Sequence, residues 1–181
     1  MRLLLCITTL ILASSAIASS QECGKTGVKL AAPEYYSDAG ALFAIQPPQG
    51  WVRDSTEKTP FFLVKEGENF KTTKSLIYVA VEPLRVSFEE AVQNDAESFG
   101  SNCGKLDIED LKRQNILEKG CKTATQVFAC TKTKGSHSDL DTKIAINGLL
   151  RNVALTSDTR EDLAKYKSAY DFLLMHIARV N

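Results

Sequence analysis

Residues 75–82 read SLIYVAVE, and both alternating faces of the stretch are apolar. Leu76, Tyr78 and Ala80 fall on one side, and Ile77, Val79 and Val81 on the other. Successive side chains of a strand point to opposite faces. A strand with no solvent face has to be central, with material packed above and below it. Pro83 closes the stretch, since proline cannot donate to a ladder.

The flanking sequence supplies that material. Ser87-Phe88-Glu89-Glu90 is a capping box, in which the Ser87 hydroxyl can accept from the Glu90 backbone and Glu90 can reach back. Phe88, Ala91, Val92 and Phe99 then mark one helical face, and Gly100 supplies a stop. At the far end a second helix is predicted from Asp158-Thr159-Arg160-Glu161. Leu163, Tyr166, Tyr170, Leu173 and Ile177 recur along it at alternating spacings of three and four, one amphipathic stripe.

Further strands are predicted around these elements. ALFAIQ (41–46) is ended by Pro47-Pro48, Gln49-Gly50 lets the chain turn, and the single tryptophan follows. Trp51 can then fold back on the sheet edge as a core lid or face a partner, and burial is favoured by the area a tryptophan gains. Phe61–Val64 is a short strand, and Glu66-Gly67-Glu68-Asn69 is turn-like. Residues 105–118 carry mixed signals and read mainly as strand from 112 to 117, running into a hairpin near Lys119-Gly120. Residues 123–131 are β-rich, and 133–139 read as a polar loop. Asn147-Gly148 between apolar runs predicts a tight hairpin, because a type I′ turn needs two residues tolerant of positive φ. Residues 19–40 read as an extended N-terminal arm. The local connections imply an α+β fold with an antiparallel sheet of about six strands and helices on both sides.

Residues 1–18 have a different character. Arg2 precedes an apolar run, and Ala16-Ile17-Ala18 fits a signal-peptide cleavage pattern. The apolar part is shorter than the roughly 20 residues that span a bilayer. The mature chain is therefore expected to be exported, periplasmic or secreted, without a transmembrane segment. Taking Arg2 from 22 basic and 22 acidic residues leaves a net charge of about −1. Binding to nucleic acid or an anionic membrane needs clustered positive charge, which this balance does not favour.

Cys6 leaves with the leader, and Cys23, Cys103, Cys121 and Cys130 remain. Four cysteines in an exported chain read as two disulfides. A zinc site would want CxxC spacing, and none is present. If 121–131 is one strand, Cys121 and Cys130 lie roughly 30 Å apart at about 3.3 Å per residue, too far for a bond that needs Cα atoms within about 7 Å. A hairpin near Gly120 favours Cys103–Cys130 with Cys23–Cys121. Cys103–Cys121 with Cys23–Cys130 is the alternative.

Residues that could carry catalysis are few. Ser136-His137-Ser138-Asp139 holds the elements of a hydrolase, but neighbours on a flexible loop lack the orientation that a triad needs. His176 falls beside the apolar stripe of the last helix. Glu89-Glu90 and Glu161-Asp162 sit in first helical turns, where the helix dipole favours negative charge. Lys132, Lys134 and Lys143 form a mildly basic group without interleaved aromatics. No phosphate-binding glycine motif is present. The residues thus point to no catalytic group, cofactor or metal. They favour a non-enzymatic binding protein over a small secreted hydrolase using Ser136, His137 and Ser138.

The arrangement resembles the PsbP-like superfamily, which includes Ran-binding Mog proteins, PsbP and exported bacterial DcrB- and LpqN-like proteins. The resemblance rests on FAIQPPQGW (43–51), LIYVAVEPL (76–84), SFEEAVQNDAESF (87–99), KIAINGLLRNVAL (143–155) and the closing amphipathic helix. It covers roughly residues 41–180, so that 41–181 would be a single PsbP-like domain. It implies an α/β/α sandwich around an antiparallel sheet, and an accessory protein of the bacterial envelope that binds another envelope or secreted protein. Folds do not fix functions, so the role is implied by analogy.

Overall fold

The computed structural model describes residues 29–55, 60–101, 103–111, 121–131 and 136–180. The expected leader, Cys23, the expected strand over 112–117 and its hairpin at Lys119-Gly120 fall outside these residues.

β5 (Ser75–Pro83) runs between β4 (Phe61–Lys65) and β9 (Leu149–Ser157), antiparallel to both. Ile77, Val79 and Val81 are buried on one face, as the apolar alternation requires. The full sheet has seven antiparallel strands in the order β3-β4-β5-β9-β8-β7-β6. Its remaining members are β3 (Trp51–Arg53), β6 (Lys105–Asp110), β7 (Lys122–Thr131) and β8 (Ser136–Ile146). β8 and β9 meet at Asn147-Gly148, whose φ angles of 49° and 78° are those of the expected type I′ hairpin.

A second sheet corrects the expectation of about six strands in one sheet. β1 (Glu34–Asp38), β2 (Ala41–Ile45) and β10 (Ile177–Val180) form a three-stranded antiparallel sheet in the order β1-β2-β10. β1 lies in the stretch expected to be an arm. β10 holds Ile177, which the periodicity had assigned to the last helix. Tyr36, Phe43, Ile45 and Ile177 of this sheet share one core with Phe61, Ile77, Val79 and Leu155 of the long sheet.

The two helices are α1 (Phe88–Ser101) and α2 (Arg160–Met175). The Glu90 backbone N–H donates to Ser87 Oγ at 3.1 Å, and Thr159 Oγ1 accepts from the Asp162 N–H, so both N-termini are capped by hydroxyls. α1 runs one residue past Gly100, and the Cys103 N–H then returns to the Gly100 carbonyl. α2 buries Leu163, Tyr170, Leu173 and Leu174. The Tyr170 hydroxyl reaches Thr142 Oγ1 and the Val153 carbonyl of the long sheet. His176, expected on the helix surface, is its C-cap and stacks on Phe172 at 3.7 Å.

Candidate functional site

The α1 side of the long sheet carries an unusual set of side chains. By strand alternation Asp139, Asp141 and Lys143 of β8 share one face with Asn152 and Thr156 of β9 and Tyr78 of β5. α1 covers part of this face. Among its described residues only Phe88 is buried, so the helix is held by few apolar contacts. Specific ties hold it instead. Lys122 of β7 pairs with Glu89 at 2.9 Å, Phe99 stacks on Phe128 at 4.9 Å, and Cys103 just past the helix is bonded to Cys130 of β7.

The central tie is Lys143. Its ammonium donates to Asp95 Oδ2 of α1 at 2.6 Å and to Asp141 Oδ2. Lys143 and Asp141 are each 4% exposed. Burial pushes the Asp141 carboxyl up to about 7, the facing Asp95 adds to the rise, and Lys143 limits it. The two carboxylates in turn hold the Lys143 ammonium above its usual range, against the burial that would lower it. Burial also raises Asp139, which accepts from Thr156 Oγ1. Tyr78, hydrogen-bonded by Asn152, is raised by burial and by the surrounding carboxylates.

Beside this cluster lies an open cleft of about 480 Å³. Leu84, Val86, Ala91 and Leu150 give it apolar walls, Lys143 and Asn152 line it, and Glu82 and Arg85 bring opposite charges. The arrangement is a recess whose polar groups are rigidly held, suited to binding. Lys143 is engaged by two carboxylates and keeps its proton, so it offers no free amine for nucleophilic chemistry.

No protein-family model matches the chain, and no curated protein matches it in sequence. Solved structures do match in shape. The cyanobacterial PsbP (CyanoP) of Synechocystis aligns with TM-score 0.51 and 16% identity, over 85% of this chain and 96% of that one. The Ran-binding protein Mog1p of Saccharomyces cerevisiae aligns with TM-score 0.52 and 14% identity, over 81% and 94%. LpqN of Mycobacterium tuberculosis, involved in cell envelope biogenesis, aligns with TM-score 0.58 and 7% identity, over 83% and 90%.

The chain has the PsbP-like fold.

Within the PsbP-like fold the residues singled out from sequence take definite places. Trp51 opens β3 directly after the Pro48–Gly50 turn, where Gly50 takes φ 76° and the Trp51 N–H returns to the Pro48 carbonyl. The indole is 6% exposed and meets Tyr166 of α2 edge-on at 5.6 Å, so its ring is turned into the core. Cys103 and Cys130 are bonded, with Cα atoms 5.4 Å apart, because Leu106 of β6 pairs with Cys130 and Cys103 lies just upstream. This link excludes the alternative Cys103–Cys121 set. Cys121 is also disulfide-bonded, and the expected Cys23–Cys121 pair falls on a residue outside those described.

The proposed hydrolase loop is corrected more sharply. Residues 136–139 are the start of β8, not a loop. His137 Nε2 stands 3.9 Å from Asp139 Oδ2, and the ring is half-buried against Phe99. Ser138 is buried, and strand alternation turns it to the face opposite His137 and Asp139, out of reach as a nucleophile. The basic group of Lys132, Lys134 and Lys143 is also revised, because Lys143 lies in the interior while Lys132 and Lys134 fall outside the described residues. Asp95, Asp141 and Asn152 were not singled out from sequence. The signal was the period-two run Asp139, Asp141, Lys143, which a loop assignment over 133–139 cut at its first member.

Proposed function

We propose that this protein is an exported, non-catalytic accessory protein of the bacterial envelope that binds a protein partner. The observation that carries the reading is the outer face of the three-stranded sheet. Tyr35 of β1 is 58% exposed, and Leu42 of β2, its diagonal neighbour, is 39% exposed. Large apolar side chains grouped on one solvent face mark interaction surfaces more often than scattered ones do. The PsbP-like fold adds support by analogy, since one protein sharing it is Ran-binding and another is involved in cell envelope biogenesis. The Cys103–Cys130 bond is in keeping with an oxidising compartment reached after removal of residues 1–18. No described helix is long and apolar enough to cross a membrane.

For the architecture we infer the helix–sheet–helix sandwich. Its support is that adjacent residues of β8, Thr142 and Lys143, reach α2 and α1 respectively.

Site-specific photocrosslinking in the source cells tests the function. A photoreactive residue at position 35 is expected to give one discrete adduct, lost on Leu42→Glu, and one at position 42 the same adduct, lost on Tyr35→Glu. The same group at Ile108, exposed on β6, is the control. Absence of an adduct at 35 and 42, or equal adducts at all three positions, would overturn the reading.

A further inference from the structure

The small sheet has two edge strands, β1 and β10. β1 approaches β5 of the long sheet, so β10 is the more open of the two. Just ahead of β10 the Gln46 N–H donates to the His176 carbonyl. Bonded pairs in an antiparallel ladder recur at every second residue. Ala178 and Val180 therefore bond to β2, and the N–H and C=O groups of Ile177 and Arg179 point away from it, along the free edge.

The face beside this edge is uncharged. By the register, Tyr35 lies level with Ala44 and Ala178, and Ser37 with Leu42 and Val180. Arg179 has the opposite parity. It is the one charged residue of β10, and it forms no ion pair among the described residues. An edge strand with so little charge is open to pairing with another chain.

Area limits what this face can hold. Three strands about 4.8 Å apart and five residues long span on the order of 200 Å². A stable interface takes about 800 Å² from each partner. A second copy seated face to face would bury too little, and its own β10 brings no carboxylate to Arg179. A strand added at the edge gains backbone hydrogen bonds as well as apolar contact.

We propose, on the reading of this face as the partner surface, that β10 takes up an extended segment of the partner as a fourth, antiparallel strand of the small sheet. Segment residues opposite Ile177 and Arg179 exchange both backbone hydrogen bonds with them. Those opposite Ala178 and Val180 are apolar and extend the face of Tyr35 and Leu42. The residue opposite Arg179 is acidic, because directly opposed side chains share a face and opposite charges there attract.

A designed peptide and the crosslink in cells test this together. Acetyl-Thr-Thr-Val-Glu-Val-Ile-Thr-Thr-amide sets Val, Glu, Val and Ile opposite Val180, Arg179, Ala178 and Ile177. With the mature, disulfide-bonded chain its labelled form should show saturable binding by fluorescence anisotropy. N-methylation of the Glu removes the N–H that donates to the Arg179 carbonyl and should weaken binding at least about tenfold. N-methylation of the Val opposite Ala178, whose N–H points away from β10, should change it less than about threefold. Lys in place of the Glu should weaken binding about fivefold, and Arg179→Glu should recover the Lys peptide. In cells Arg179→Pro, which spares the pairing with β2 but removes the outward N–H, should abolish the adduct from position 35. Unchanged amide dispersion shows that both variants fold. Equal binding of the two N-methyl peptides, no saturable binding of the parent peptide, or a full adduct in Arg179→Pro would overturn strand addition and leave the partner surface standing. No adduct even in the parent would remove both. Concentration-dependent dimers lost in Arg179→Pro would overturn the proposal in favour of a second copy.

Discussion

Replacing Lys143 by Met removes the ammonium that donates to Asp141 Oδ2 while keeping most of the side chain's volume. Both Lys143 and Asp141 are 4% exposed, so the carboxylate cannot turn to water. Breaking a buried ion pair from one side costs about 3–5 kcal/mol. The pH dependence of that loss identifies its cause. In the parent the folded-state value of Asp141 lies near 7, above its ordinary 3.8. The stability it contributes is therefore full below about 4 and is lost as pH rises through about 7, where the loss levels off. Without the ammonium the carboxyl rises further, and the variant goes on losing stability above that point. The difference between variant and parent should widen by about 1.4 kcal/mol for each pH unit above 7 until the new value is reached. Urea unfolding at pH 6, 7 and 8 with disulfides kept intact measures it. The buried Trp51, the sole tryptophan, provides the fluorescence signal. A loss under about 1 kcal/mol, or one equal at pH 6 and pH 8, would refute the view that Lys143 neutralises a buried carboxylate.

Other perturbations probe the frame around the cleft. Replacing Cys103 and Cys130 by Ser opens a link of sequence separation 27, and thermal unfolding should show a loss of about 3.5 kcal/mol by the loop-entropy relation. Trp51→Ala should cost about 3–5 kcal/mol in urea unfolding followed by circular dichroism, whereas Trp51→Phe should retain more than half of that contribution. Gly148→Val places a β-branched residue at φ 78° and should lower stability by at least about 1 kcal/mol, with Gly148→Asn close to neutral.

How far these features were legible depends on the range of their cause. The two-faced alternation of residues 75–82, the Ser87 cap and the Asn147-Gly148 turn are local patterns, and each has its expected place in the structure. The Cys103–Cys130 pair spans 27 positions, and the structure chose it from the two pairings that the sequence left open. β1 and β10 were missed for opposite reasons. EYYSD has too few apolar residues to show a period, and its strand character comes from pairing with β2. Ile177 stands four residues after Leu173, so it continues the helical stripe in sequence. In the structure His176 caps α2 and the chain turns into β10.

The sequence by itself determined a central two-faced strand, two helices and a tight hairpin. These follow from side-chain periodicity and from backbone limits within a few residues. Only the tertiary structure decided that β1 and β2 meet β10 in a second sheet, that Ser138 and His137 part to opposite faces, and that Lys143 becomes an interior ammonium. Asp95 and Lys143 are 48 positions apart and come together only because α1 packs on β7 and β6, beside β8. The cleft is lined jointly by residues of α1, β8 and β9, and periodicity within one element carries no trace of it.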